Sequence, residues 1–272
     1  MTNISCALTI AGSDPSGGAG IQADLKTFQE LQTYGMSVIT SLTAQNTTGV
    51  QGVHHAPIDF INQQIESITN DIPVHAFKTG MLASVEVMET VAKHAAKIDA
   101  PFVMDPVMVA TSGDPLIAEE AQDYLKAHLL PLTTVVTPNV PEAETITGLT
   151  IRNLNDMENA ARMIVKKFGA KSALVKGGHI IDKEKAVDVF YDGESFHRFT
   201  SKRIYTKNTH GTGCTLSAAI TAYLAKDYPI LQAIEYAKTY ITQAIEHSLD
   251  IGEGSGPTNH WAPRIKKEME IS

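Results

Sequence analysis

The apolar residues of this chain come in short runs rich in Val and Ile, separated by stretches in which apolar residues recur at helical spacing. The runs are Ser5 to Ile10, Ser37 to Ala44, Ala76 to Thr79, Pro101 to Met104, Thr134 to Thr137 and Ser172 to Lys176. Between them Ala23 to Gln32, Ile58 to Ile68, Val85 to Lys97, Ala118 to Leu129 and Asn155 to Phe168 read as helices; Leu25, Phe28 and Leu31 mark one such apolar face. A strand that is apolar on both sides must be covered on both sides, and strands alternating with helices reach that state as crossover units. The pattern therefore predicts an α/β fold with a mostly parallel central sheet and helices on both faces. One small β-hairpin interrupts it, Ala186 to Tyr191 and Ser195 to Ser201 turned at Asp192-Gly193. A last helix is expected from about Leu231 to Ser248. No Pro/Gly/Ser-rich linker or internal repeat divides the sequence, so residues 1–272 read as one domain.

In open α/β sheets, ligands bind beyond the carboxyl ends of the strands. Gly12, Gln45, Lys78, Asp105, Asn139 and Lys176 all fall at such ends, which places the expected site along that edge. The segment Asn208-Thr209-His210-Gly211-Thr212-Gly213-Cys214 then leads into the small-residue stretch Thr215 to Ala219. A glycine-rich turn opening a helix points backbone N–H groups into one space, where the helix dipole favours negative charge. Cys214 stands at the mouth of that anion hole. Phosphoryl transfer is the first chemistry this suggests. A helix N-terminus also lowers a thiol pKa, so a hydrolase with Cys214 as nucleophile and a histidine as base stays open on spacing alone.

The remaining polar residues are weaker taken singly. The loop Ala11 to Gly20 follows a strand and precedes a helix, but it fits neither G-x-G-x-x-G nor a P-loop; a tight turn and a ligand cradle are equal readings of it. Asp105 closes a buried strand before Pro106, as a surface turn would, or as a carboxylate for a cation would. Glu142, in Asn139-Val140-Pro141-Glu142, fits a helix cap as well as a second such acid. Lys176, before Gly177-Gly178, suits phosphate more than a solvated surface lysine. His179 and His210 have no partners at zinc spacing. Ala110 to Pro115, small and polar just after Asp105, is expected to cover bound phosphates, because water must be kept from them.

The net charge of −8 argues against nucleic acid as a partner. Two cysteines, Cys6 and Cys214, make no disulfide framework. Neither a secretory signal nor a membrane-length apolar run is evident, so the expected compartment is the cytoplasm.

Several segments together resemble the hydroxymethylpyrimidine and phosphomethylpyrimidine kinases, within the ribokinase-like superfamily that also holds pyridoxal kinases. They are Leu8 to Lys26, Ala44 to Thr47, Lys78 to Leu82, Met104 to Met108, Thr137 to Ala143, Val175 to His179, the Asn208 to Ser217 loop and Gly256-Pro257-Thr258-Asn259-His260. The resemblance implies a three-layer ribokinase-like fold, ATP as co-substrate, Mg²⁺, and a homodimer. It implies that Gln45 hydrogen-bonds an aminopyrimidine ring, in a pocket shaped by Gly12, Asp24 and Met81. Asp105 and Glu142 would position Mg²⁺ through water, while Asn139 and Thr209 would lie near the nucleotide. Lys176 would contact the transferring phosphates, Gly211, Thr212 and Gly213 would supply the anion hole, and Cys214 would face the substrate hydroxyl. Sugar kinases of this fold usually carry aspartate at that last position, so Cys214 points to the vitamin-kinase branch. The reaction implied is phosphorylation of 4-amino-5-hydroxymethyl-2-methylpyrimidine and then of its monophosphate. Pyridoxal kinase is the nearest rival; a Cys-dependent hydrolase and a catalytically silent nucleotide binder are the rivals of another kind.

Overall fold

The computed structural model describes residues 4–108, 119–179 and 184–264; the expected cover at Ala110 to Pro115 lies outside them. Strand β1 (Cys6–Ala11) is buried along its whole length, and its alternate side chains serve two different cores. A glycine-rich loop carries the chain into helix α1 (Gly20–Glu30), and strand β2 (Tyr34–Ile39) then returns parallel to β1.

The expected strand from Ser37 to Ala44 is two strands. At Thr40 the chain leaves the main sheet: the Thr40 N–H donates to the Ala11 carbonyl and its hydroxyl donates to the Met81 carbonyl. Strands β3 (Ser41–Asn46) and β4 (Gly49–His55) then pair with each other as a separate antiparallel ribbon, bulged between Ala44 and Gln45. Most of this ribbon faces solvent, so it carries little apolar periodicity by which a sequence reading could have found β4.

Helix α2 (Ile58–Thr69), strand β5 (Ala76–Thr79), helix α3 (Val85–Ala95) and strand β6 (Phe102–Met104) follow with bounds close to those expected. The expected helix ending at Leu129 is α4 (Glu119–Tyr124) continued by a wider-wound turn over Leu125–Leu129. Strand β7 (Val135–Val136), helix α5 (Val140–Thr147), helix α6 (Leu154–Lys166) and strand β8 (Ala173–Val175) complete the parallel part. The hairpin is β9 (Lys185–Tyr191) with β10 (Phe196–Lys202), as the sequence suggested. Helices α7 (Thr212–Leu224) and α8 (Ile230–Glu246) end the described elements.

The main sheet has eight strands in the order β10-β9-β8-β7-β6-β5-β1-β2. Every neighbouring pair from β2 to β8 is parallel, while β9 runs against both β8 and β10. On one face Ile61 and Ile65 of α2, Val91 of α3 and Met157 and Ile164 of α6 close a core over Leu8, Phe77 and Met104. On the other face Phe28 of α1, Ile220 of α7 and Ile241 of α8 pack over Ala7 and Val103. This is the three-layer ribokinase-like arrangement.

Helix α7 differs from the rest. Its run from Thr215 to Ala222 is buried all round, because α1 and α8 flank it and the sheet lies beneath. Small side chains allow that close approach, and Thr221 satisfies its buried hydroxyl on the Ser217 carbonyl. A helix held on three sides presents its N-terminus in a fixed place.

Candidate active site

The carboxyl ends of the parallel strands open into a cavity of about 910 Å³, at the upper end of the usual range for small-molecule sites. Gly12, Asp24, Gln45, Met81, Asp105, Asn139, Glu142, Lys176, Thr209, Gly211, Thr212, Gly213 and Cys214 all line it. Every residue to which the resemblance gives a role is therefore brought to one space, whereas Lys78 is not among the lining residues.

Its floor is built from strand ends. The Asp105 N–H donates to the Thr79 carbonyl, which fixes the residue after β6 against the end of β5. The Lys176 N–H donates to the Pro138 carbonyl, which ties the end of β8 to the segment after β7. Their side chains meet: Lys176 Nζ donates to Asp105 Oδ1 at 2.9 Å, and Thr137 Oγ1 lies 3.4 Å from the same oxygen. Burial opposes the charge on Lys176, but Asp105 and then Glu142 outweigh it and raise the pKa.

Over this pair stands the start of α7. A Cβ on Gly213 would lie 3.2 Å from Asp105 Oδ2 and 3.3 Å from Lys176 Nζ, so glycine lets the helix terminus stand close over the pair without displacing either side-chain end. Gly211, the N-cap, has φ of 79°, and a Cβ there would run into the Gly18 carbonyl. No side chain caps the helix. The Thr212 N–H turns back to the Thr209 carbonyl at 3.2 Å and the Thr215 N–H bonds the Gly211 carbonyl. The expected anion hole of Gly211, Thr212 and Gly213 therefore loses the Thr212 N–H to this turn, while Gly213 and Cys214, both lining the cavity, have no hydrogen bond on their N–H groups among the described residues.

Cys214 corrects one expectation. The helix terminus was expected to lower its pKa, but burial pushes the thiol up to about 12, with Lys78 opposing and Asp24 and Asp105 adding to the rise. Desolvation is the main cause of this direction, and the two nearby carboxylates add to it. A group that stays a thiol at neutral pH is a poor nucleophile, which removes the main support for a cysteine hydrolase.

Lys78 is the second departure. It lies inside β5 with no exposure, and its Nζ donates to Asp24 Oδ1 at 2.7 Å. Thr9 Oγ1 donates to the other Asp24 oxygen at 2.6 Å. Burial raises the Asp24 pKa and opposes the lysine's charge, but Asp24, Cys214 and Asp105 around Lys78 raise its pKa. Both Asp24 oxygens thus accept a hydrogen bond inside the fold.

Asn139 and Glu142 form a reciprocal capping box for α5: Asn139 Oδ1 accepts from the Glu142 N–H, and Glu142 Oε2 accepts from the Asn139 N–H. The capping role and the cavity position coincide. Burial, opposed by Lys176 and assisted by Asp105, pushes the Glu142 pKa up to about 7.

The opposite rim carries Gln45, half-buried beside the β3 bulge, and Met81, whose Cε occupies the space a Gly12 side chain would need. Two further residues escaped the sequence reading. Asp14, nearly fully buried, accepts from the Ser16 N–H and hydroxyl, the Gly18 and Ala19 N–H groups, and His210 Nε2 at 2.8 Å. Burial would raise its pKa, but the His210 and Ser16 hydrogen bonds carry it down to about 2. His260, buried and held neutral with a pKa near 4, lies 3.1 Å from Thr215 Oγ1 in the first turn of α7. No local pattern announces contacts made across nearly the whole chain.

An uncapped helix terminus over a lysine–carboxylate pair, at the floor of a cavity of about 910 Å³, is the arrangement of phosphotransferases acting on small molecules. The chain belongs to the phosphomethylpyrimidine kinase family, whose sequence profile matches residues 14–259. It is 47% identical over 263 residues to a Staphylococcus aureus hydroxymethylpyrimidine/phosphomethylpyrimidine kinase, covering 96% of this chain and 95% of that one. The Bacillus subtilis protein of the same name is 49% identical over 260 residues, with 94% of each chain covered. Among solved structures, an ADP complex of Bacillus subtilis pyridoxal kinase superposes with a TM-score of 0.90 at 43% identity, over 97% of this chain and all of that one.

Proposed function

We propose that this chain transfers the γ-phosphoryl group of ATP to the hydroxymethyl oxygen of 4-amino-5-hydroxymethyl-2-methylpyrimidine, and then phosphorylates the monophosphate to the pyrophosphate. The observation that carries the reading is the approach of Gly213 to Asp105 and Lys176, because it sets backbone donors, a cation and a carboxylate around one point. Gln45, a carboxamide with a donor and an acceptor, reads the aminopyrimidine edge, and Gly12, Met81 and Asp24 bound that end of the cavity. The nucleotide phosphates lie along the start of α7 beside Thr209, Gly211 and Thr212, all of which line the cavity. Asn139 spends its carbonyl oxygen on the α5 cap, so it meets phosphate through its amide NH₂.

The donors suit Mg²⁺. No group of three or more His, Cys, Asp or Glu side chains among the described residues forms a cage. Mg²⁺ commonly takes one or two carboxylates with water and phosphate oxygens, and Asp105 and Glu142 supply such carboxylates. When bound, the ion neutralises phosphate charge. The residues do the rest: Lys176 offsets repulsion on the transferring group, and the Gly213 and Cys214 amides receive it as charge spreads over its oxygens. Cys214, held as a thiol, orients the alcohol. A loose transition state asks little of a base.

The chain acts as one kinase domain, as a homodimer, in the cytoplasm, where ATP and free thiols are found. Its two cysteines are both free. Among the described residues no helix is long and apolar enough to cross a membrane. Pyridoxal phosphorylation is a second reading, favoured by the likeness to the pyridoxal kinase structure. A coupled assay of ADP release with the pyrimidine alcohol, its monophosphate and pyridoxal in separate arms tests both. Turnover is expected in the first two arms and to a smaller extent in the third. Nucleotide binding with no ADP release in any arm would falsify the kinase reading.

A further inference from the structure

The loop that carries Gly12 and the loop that forms the anion hole come from opposite ends of the chain, yet they meet at one buried contact. Asp14 Oδ2 accepts from His210 Nε2 at 2.8 Å, and both side chains are almost wholly buried. The same carboxylate holds its own loop together through Ser16, Gly18 and Ala19. Two steric constraints accompany the hydrogen bond. A Cβ on Gly18 would lie 2.5 Å from His210 Cδ2, and a Cβ on Gly211 would strike the Gly18 carbonyl. The loops therefore touch twice beside the Asp14–His210 hydrogen bond: the His210 ring lies against Gly18, and Gly211 meets the Gly18 carbonyl backbone to backbone.

From the other side His210 is gripped by the chain's far segment. Its N–H donates to the Gly256 carbonyl at 3.1 Å and its carbonyl accepts from the Thr258 N–H at 3.3 Å. Gly211, which immediately follows His210, is the N-cap of α7. Any motion of Asp14 is thus passed through His210 to the residue that sets the direction of the Gly213 and Cys214 amides.

We propose that Asp14 and His210 are positioning residues that join the substrate-side loop to the anion hole, so that occupation of the alcohol pocket orders the amides that receive the phosphoryl group. The proposal rests on the kinase reading above. Neither side chain need touch the reacting atoms. Asp14 gathers donors from one loop and one donor from the other; His210 turns that into alignment of α7. A displacement near 1 Å in such a site is enough to slow transfer about a hundredfold.

The test combines two measurements. In steady-state kinetics, His210→Ala is expected to lower kcat by roughly 10- to 100-fold while the KM for the pyrimidine alcohol stays near its wild-type value. His210→Gln, whose amide nitrogen can take the place of Nε2, should restore most of the rate. Asp14→Ala combined with His210→Ala should be no slower than the worse single variant, because the two act as one unit. In wild-type enzyme, hydrogen exchange is measured with the pyrimidine alcohol alone. Peptides spanning both 11–20 and 207–214 should slow together. An unchanged kcat in His210→Ala, a Gln variant as slow as Ala, or protection confined to 11–20 each overturns the proposal. The exchange measurement decides it even if His210→Ala does not fold. Wild-type turnover of the alcohol in the same experiment separates failure of this coupling from failure of the kinase reading.

Discussion

Two lysines close neighbouring parts of one sheet, and each lies within 3 Å of an aspartate, yet their surroundings make them different devices. Lys78 and Asp24 have no exposed side-chain surface, and Thr9 satisfies the remaining Asp24 oxygen. Lys176 and Asp105 keep 14% and 3% of theirs and stand under Gly213 at the cavity floor. A sealed pair has nothing further to bind; an open pair facing unpartnered amides has a cation to offer a phosphate. The difference lies in what covers each pair, since residue types and strand positions are nearly the same.

The comparison breaks most sharply in catalysis. Lys176→Met is expected to lower kcat by roughly 10²- to 10³-fold, as loss of a preorganised charge at developing anionic oxygens does. The melting temperature should fall less than it does in Lys78→Met, because Lys176 keeps 14% of its side-chain surface and Lys78 keeps none. A near-normal rate would make Lys176 as structural as Lys78. Conversely, Lys78→Met strands a buried carboxylate and should destabilise the fold by about 3–5 kcal/mol, read by denaturant unfolding. Adding Asp24→Leu to Lys78→Met should recover much of that loss, because a buried pair replaced by apolar groups is often close to neutral. No recovery in the double variant would mean that Asp24 holds something besides Lys78.

Cys214 lies within electrostatic reach of both aspartates and of Lys78, and it sharpens the comparison by a smaller effect. Cys214→Ala should slow turnover by roughly 10- to 100-fold, the scale of lost orientation, with nucleotide affinity preserved. Cys214→Ser should retain more activity than Ala, since a hydroxyl can orient the alcohol although it is a weak base. Equal loss in both variants would assign the thiol a proton-abstracting role.

Much of this was legible in the sequence because it is local. The strand runs that became β5, β6 and β8, the Asp192-Gly193 turn and the glycine-rich entry to α7 each write their conformation into adjacent residues. The β3–β4 ribbon was not, since a two-stranded element that mostly faces solvent carries little burial pattern. Lys78 illustrates a different limit: its residue type and register were readable, but the Asp24 beneath it arrives from 54 positions away. The Cys214 pKa failed for the same reason. The helix terminus is local information, whereas the burial that raises the pKa, and the Asp24 and Asp105 carboxylates that add to it from α1 and the end of β6, are set by the tertiary fold. Asp14 and His210, 196 positions apart, were wholly hidden.

The grip of Gly256 and Thr258 on His210 gives the site a schedule as well as a shape. During synthesis the strands β1, β2 and β5, with α1, α2 and α3, are made long before residues 256–260. Chains are synthesised from the N-terminal side at roughly 5–20 residues per second, and domains fold as units. The sheet under the alcohol pocket is covered by α7 and α8, so it too waits for the later part of the chain. Competence for transfer arrives last, when the far segment closes on the loop, so an unfinished chain has no completed site at which to spend nucleotide.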